Sequence, residues 1–245
     1  MKHLSKGVFA GVIVVTAIAT VGAWAAGNFN NVKPQEFDPP KTFLVQAAWL
    51  HGIGCPTNAA TSADGTKPPN GPTYTECPTG DAKDKQNEGL ILAKTGPTPN
   101  FAAATAELKD VKDTALTELG YDIRKPGLNV NDPRGSHCGA GAPRFDITLQ
   151  SGGLFFIGCN SPAPTSDTPG ANQQWQRLRW GSPGTLLAFS QSTNVLTNIS
   201  GQTVKSISIV FDEGQDTAPD NFGLAVLDNI DVNGTLVGRG PTDAN

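Results

Sequence analysis

The stretch Val204–Val237, VKSISIVFDEGQDTAPDNFGLAVLDNIDVNGTLV, decides how the chain reads. Ile207, Ile209 and Phe211 alternate with Ser206 and Ser208, the period of two of a strand with one face buried. A second run follows in which Phe222, Leu224, Val226, Ile230 and Val232 share a parity. Asp228 shares it too, so a regular strand would aim this carboxylate at the core. A buried carboxylate needs hydrogen bonds, a counter-ion, a metal, or a bulge that turns it away. Asp212, Glu213, Asp216 and Asp220 occupy the loop between the two runs.

The same alternation recurs upstream. Phe145, Ile147 and Leu149 alternate with Asp146, Thr148 and Gln150. Ser151-Gly152-Gly153 then makes a turn, and Leu154–Cys159 (LFFIGC) returns, so a hairpin is predicted. Further strands are expected at Thr42–Leu50, Gly89–Ala93, Thr114–Arg124, Trp175–Trp180, Thr185–Ser190 and Val195–Ile199. Phe101–Lys109 stays open, because Ala106–Leu116 also has helical composition. Gly/Pro-rich loops at 54–85 and 125–143 separate these runs. The pattern predicts an all-β fold, an antiparallel β-sandwich of the jelly-roll kind.

The first residues read as an export signal over 1–25. Lys2, His3 and Lys6 precede an apolar run at Val8–Val21, and Ala23-Trp24-Ala25 is a cleavage pattern. The competing reading is a membrane anchor; the run is short for a span. Residues 26–40 are expected to be an extended lead-in and 41–245 a single sandwich domain of the size that about 220 mature residues allow. Loss of Lys2 and Lys6 leaves 16 basic and 22 acidic side chains. With no basic run, nucleic acid is excluded as an expected partner. No later stretch could span a bilayer as a helix.

Cys55, Cys77, Cys138 and Cys159 all fall in the exported part, where disulfides persist. Three pairings are open, and the local pair Cys55–Cys77 with Cys138–Cys159 is favoured. Zinc is disfavoured, since no C-x-x-C is present and only His51 and His137 remain after cleavage.

Phe211-Asp212-Glu213-Gly214 and Val226-Leu227-Asp228-Asn229-Ile230-Asp231-Val232 resemble the closing strands of secreted jelly rolls, among them carbohydrate-binding modules and galactose-binding-like domains. The resemblance covers about 25 residues. It implies a glycan-binding sandwich in which Asp228 stands beside a structural calcium. The segment GAPRFDITLQSGGLFFIGC resembles secreted bacterial proteins, a likeness that brings no activity with it.

Two constellations carry the candidate chemistry. Calcium takes six to eight oxygen ligands, and Asp228 with Asp212, Glu213 or backbone carbonyls is the expected metal set. The competing reading makes Asp228 a hub for backbone N–H donors. WQRLRW supplies the candidate ligand-binding residues Trp175, Arg177, Arg179 and Trp180, a flat aromatic beside guanidinium donors that could stack on a sugar. The competing reading buries a tryptophan in the core and leaves the arginine heads wet. No catalytic set emerges: Ser136 and His137 are adjacent and point apart on a strand, and no nucleophile elbow or phosphate loop is present. The expectation is a secreted, extracellular or periplasmic, non-catalytic sandwich that binds a glycan or cell-surface polymer. A polysaccharide-active hydrolase or lyase on the same scaffold, and a structural surface or matrix protein without a small ligand, are the alternatives. These motifs fix neither the ligand nor the oligomeric state.

Overall fold

A computed structural model describes residues 28–55, 77, 79–96, 98, 101–125, 142–169, 175–212 and 222–241. Among them are fourteen strands and no helix. The expected antiparallel jelly-roll sandwich is what forms. The first sheet runs β1(Asn31–Phe37), β4(Ala103–Lys109), β12(Val204–Phe211), β6(Arg144–Leu149), β7(Leu154–Gly158), β10(Leu187–Ser190), β11(Leu196–Asn198). The second runs β2(Val45–Leu50), β3(Gly89–Thr95), β13(Phe222–Val232), β5(Glu118–Arg124), β9(Gln176–Gly181), β8(Ser166–Pro169), with β14(Thr235–Val237) on β13. Every pairing between named strands is antiparallel.

The alternating runs lay down the core. Ile207, Ile209 and Phe211 from β12 and Phe145, Ile147 and Leu149 from β6 face Leu119, Tyr121 and Ile123 from β5. The β6–β7 hairpin turns where expected, with Gly152 at φ 93° and Gly153 at φ 89°, a backbone that side chains rarely tolerate.

The structure fills in local detail. The lead-in contains β1, which pairs with β4 along its whole length. Its only fully buried strand residue is Val32, too faint a signal to read as a strand, and Pro34 is tolerated because β1 is an edge. The open stretch Phe101–Lys109 is mostly strand β4. The helical composition of Ala106–Leu116 is overridden because alternate residues Ala104, Ala106 and Leu108 are all buried. Asn233-Gly234 is the turn of the β13–β14 hairpin, with φ 52° and 82°. The expected signal segment, 1–25, lies outside the described residues.

Candidate functional site

The parity of β13 changes within the strand. Ala225 and Leu227 are buried in the core before Asp228, and Ile230 and Val232 after it. Between them the pairing with β5 shifts register, from Asp228 opposite Asp122 to Asp231 opposite Gly120. This bulge carries Asn229 at φ 44°. Leu224, Val226 and Asp228 therefore lie on the outer face of the second sheet, not in the core as a regular strand would have them. Asp228 is still only 1% exposed, because the segment around Cys55 covers that face.

Beneath this cover sits a charged cluster built from three neighbouring strands. In β5, Asp122 alternates with Tyr121 and Ile123; in β9, Arg177 and Arg179 alternate with Leu178 and Trp180. Register then places Asp122 opposite Arg177 and Gly120 opposite Arg179. Arg177 donates Nε to Asp122 Oδ1 at 2.7 Å and Nη2 to Oδ2 at 2.8 Å, a two-pronged pair. Arg177 also bonds the hydroxyl and carbonyl oxygens of Thr79. Arg179 Nε lies 2.8 Å from Asp231 Oδ2, and its Nη2 lies 3.5 Å from Asp122. Asn229 Nδ2 donates to Asp122 at 2.9 Å. Gly120 is required here, since a Cβ would lie 2.3 Å from Arg179 Cδ.

Two guanidiniums thus balance Asp122 and Asp231, and two further carboxyls are left over. Burial, and then the Asp122 charge, push Asp228 well above the usual carboxylate range against the pull of the Asn229 and Cys55 amides. Burial, then the Asp231 charge and a hydrogen bond with it, raise Glu118 to about 7, with Arg179 opposing. Glu118 therefore holds its proton more tightly folded than unfolded. Its contribution to stability is full below the unfolded value near 4.5 and is lost as pH rises through about 7. The thermal midpoint should fall between pH 5 and pH 8, and Glu118→Gln should flatten that fall. Parallel wild-type and variant profiles in a calorimeter would refute the assignment.

Among the described residues the expected metal set is not brought together. Asp228 Oδ2 accepts from Cys55 N at 2.7 Å and Oδ1 from Asn229 N at 2.5 Å. A Cβ at Gly238 would stand 2.6 Å from Oδ1 and one at Gly54 2.9 Å from Oδ2. The carboxylate is ringed by N–H donors and close backbone, not by the oxygens calcium needs. Asp212 lies across the sandwich at the end of β12, held by Arg144, and Glu213 lies outside the described residues. The residues present at Asp228 do not fit calcium; they form the hydrogen-bonded hub. Cys55 Sγ, Cys77 Sγ and an Asp122 oxygen lie within 4.8 Å of one another, but the sulfurs are bonded to each other and offer no thiolate.

The expected stacking platform is also inside. Trp180 is 1% exposed in the main core, edge-on to Tyr121 and Phe145. Trp175 is 2% exposed, on the opposite face of β9, packed with Cys55, Cys77 and Val226 in a satellite cluster. Arg177 and Arg179 share that face and are spent on carboxylates. The Cys55–Cys77 bridge forms as expected, with Cα atoms 6.3 Å apart. Cys159 is disulfide-bonded as well; Cys138 lies outside the described residues.

A group that the sequence did not single out lies on the outer face of the first sheet. There Arg144 and Asp146 alternate with inward Phe145 and Ile147, and Phe156 alternates with inward Ile157. Register sets Ser208, Asp146, Phe156, Phe189 and Leu196 side by side across five strands. Arg144 Nη1 donates to both Asp212 oxygens at 2.8 and 2.7 Å, and Nε to Asp146 at 3.0 Å. Its guanidinium carbon is 5.7 Å from the Phe156 ring centre. Burial raises the Asp146 carboxyl, with Arg144 pulling the other way. Arg144, Phe156, Ser161, Phe189, Asn194 and Asp212 line an open groove of about 420 Å³. The only cue in the sequence was the doubled Phe155-Phe156, of which alternation must turn one ring outward.

No protein-family model matches the chain, and no curated protein matches it in sequence. Among solved structures, it is similar to a family 11 carbohydrate-binding module from Clostridium thermocellum in complex with a β-1,3-1,4-mixed-linked tetrasaccharide, at 12% identity and TM-score 0.37, over 84% of this chain and 91% of that one. The family 11 module of the cellulosomal cellulase Lic26A-Cel5E of the same organism gives 11% identity and TM-score 0.38, over 87% and 91%. A β-1,2-glucanase from Parabacteroides distasonis gives 12% and 0.31, over 83% of this chain and 24% of the glucanase.

Proposed function

We propose that this chain is an exported, non-catalytic β-sandwich that binds a neutral glycan across the exposed face of its first sheet. The observation that carries the reading is the groove in which Phe156 and Phe189 lie beside the Arg144–Asp212–Asp146 array. Sugars present an apolar C–H face and a rim of hydroxyls. A ring face suits the first, and a fixed set of charged donors and acceptors suits the second. One guanidinium among two carboxylates leaves no positive charge for an acidic sugar, so the fit is to a neutral one. Export is supported by the buried Cys55–Cys77 bridge, which persists in oxidising compartments.

The test is an array spanning neutral and acidic polysaccharides, run in chelator and in millimolar calcium. Wild type should retain a neutral glycan equally in both buffers. Phe156→Ala should weaken retention roughly five- to tenfold, the worth of one stacking ring, and lower the thermal midpoint by no more than a few degrees. Absence of neutral-glycan retention by wild type, or a Phe156→Ala variant that binds as wild type does, would overturn the proposal.

A further inference from the structure

A second open cavity lies along the β2 edge of the second sheet, lined by none of the residues of the Phe156 groove. It measures about 860 Å³, within the range of small-molecule and oligosaccharide sites. Its floor is apolar: Pro34 of β1 and Ala47, Ala48 and Trp49 of β2. The Trp49 indole is pinned from both ends. Nε1 donates to Val32 O at 2.9 Å, and Gly240 approaches so closely that a Cβ there would lie 3.0 Å from Trp49 Cβ. The ring is half-buried and in place before any ligand arrives.

The rim is cationic in a chain whose formal charge is −4. Lys83, Lys85 and His51 line it and are exposed, and Arg239 and Glu88 line it with them. Lys85 Nζ donates one proton to Ala82 O, and an ammonium carries three. Two carboxylates lie near and accept from backbone N–H groups while keeping their charge, so the excess at the cleft is that of Lys83, Lys85 and Arg239 over Glu88 and Asp81. Glu88 Oε2 accepts from Gly240 N at 2.8 Å. Asp81 accepts from Lys83 N at 2.9 Å and from Gly238 N at 3.3 Å. Arg239 Nε stands 3.4 Å from Asp81 without a hydrogen bond.

We infer that this cleft is a second binding site, for an acidic saccharide such as a uronate-bearing oligosaccharide. A bare inorganic anion would have no use for the apolar floor. A neutral sugar would leave the excess positive charge of Lys83 and Lys85 unused. A pyranose carrying a carboxylate answers both, with its C–H face over the indole and its charge toward Lys83 and Lys85. The site is independent of the neutral-glycan groove, whose charges point the other way.

Titration calorimetry with an oligogalacturonate, a neutral oligosaccharide of equal length and poly-glutamate tests it. Wild type should bind the oligogalacturonate more tightly than the other two, and more weakly in half-molar salt, as exposed charge requires. The double variant Lys83→Gln, Lys85→Gln should weaken it roughly five- to tenfold with an unchanged thermal midpoint, since both side chains are exposed. Phe156→Ala should leave it unaltered, which separates this site from the groove whatever becomes of the groove. No binding of oligogalacturonate by wild type, wild-type affinity in the double variant, or equal affinity for poly-glutamate would each overturn the assignment.

Discussion

Asp122→Ala should be among the most damaging single changes in this protein, at about 3–5 kcal/mol. Asp122 is fully buried and neutralises Arg177 directly, with Arg179 close by and Asn229 bonded to the same carboxylate. Its loss leaves two guanidiniums with too little counter-charge under the disulfide-bridged cover. For Arg177, burial works against the charged form and the bond with Asp122 outweighs it, holding the group above its ordinary value. The alanine removes what tips that balance. Denaturant unfolding would measure the loss. The companion double variant Asp122→Leu, Arg177→Met should recover most of it, because removing both partners leaves no uncompensated charge. A loss under about 1 kcal/mol for Asp122→Ala would mean that the cluster is wetter than its burial indicates.

Trp180→Ala should cost a comparable amount, about 3–5 kcal/mol. The indole fills the centre of the sandwich, 5.4 Å from the Tyr121 ring and 6.1 Å from the Phe145 ring, with Nε1 donating to Pro162 O at 2.9 Å. Alanine would leave a cavity bounded by two rigid strands, and it would orphan a carbonyl. Trp175→Ala should cost less, because Trp175 packs in the small cluster of Cys55, Cys77 and Val226 outside the main core. Equilibrium unfolding of both variants checks the order. A Trp180→Ala variant as stable as wild type would contradict its central place. Neither change should touch glycan retention at Phe156 directly, so any loss of binding should track loss of fold.

Trp180 also marks how far alternation can be trusted. WQRLRW split its residues correctly into Trp175, Arg177 and Arg179 on one face and Gln176, Leu178 and Trp180 on the other. Which face was covered was not in the pattern. The outer face of this sheet would be exposed in a bare sandwich; here the chain around Cys55 and Cys77 folds over it. At Asp228 the parity runs through a strand that contains a bulge, and a bulge reverses the faces of everything beyond it. The outward group at Arg144 and Phe156 was readable residue by residue, but its partner Asp212 comes from β12, which the sequence places more than 60 residues away.

Residue alternation is enough for the class of fold. Alternating runs such as Phe145–Leu149 and Ile207–Phe211 fix strands because side chains leave a strand on opposite faces, and Gly152-Gly153 fixes a turn because few other residues accept its backbone. The sequence favours the Cys55–Cys77 pairing among three that are open, and the structure forms that bridge. The tertiary structure alone decided which polar residues meet. Asp122, Arg177, Arg179 and Asp231 come from three strands far apart in the chain, and only strand order and register bring them within bonding distance. It also decided which faces see solvent, since burial is a property of what lies above a sheet and no residue in the sheet encodes its own cover.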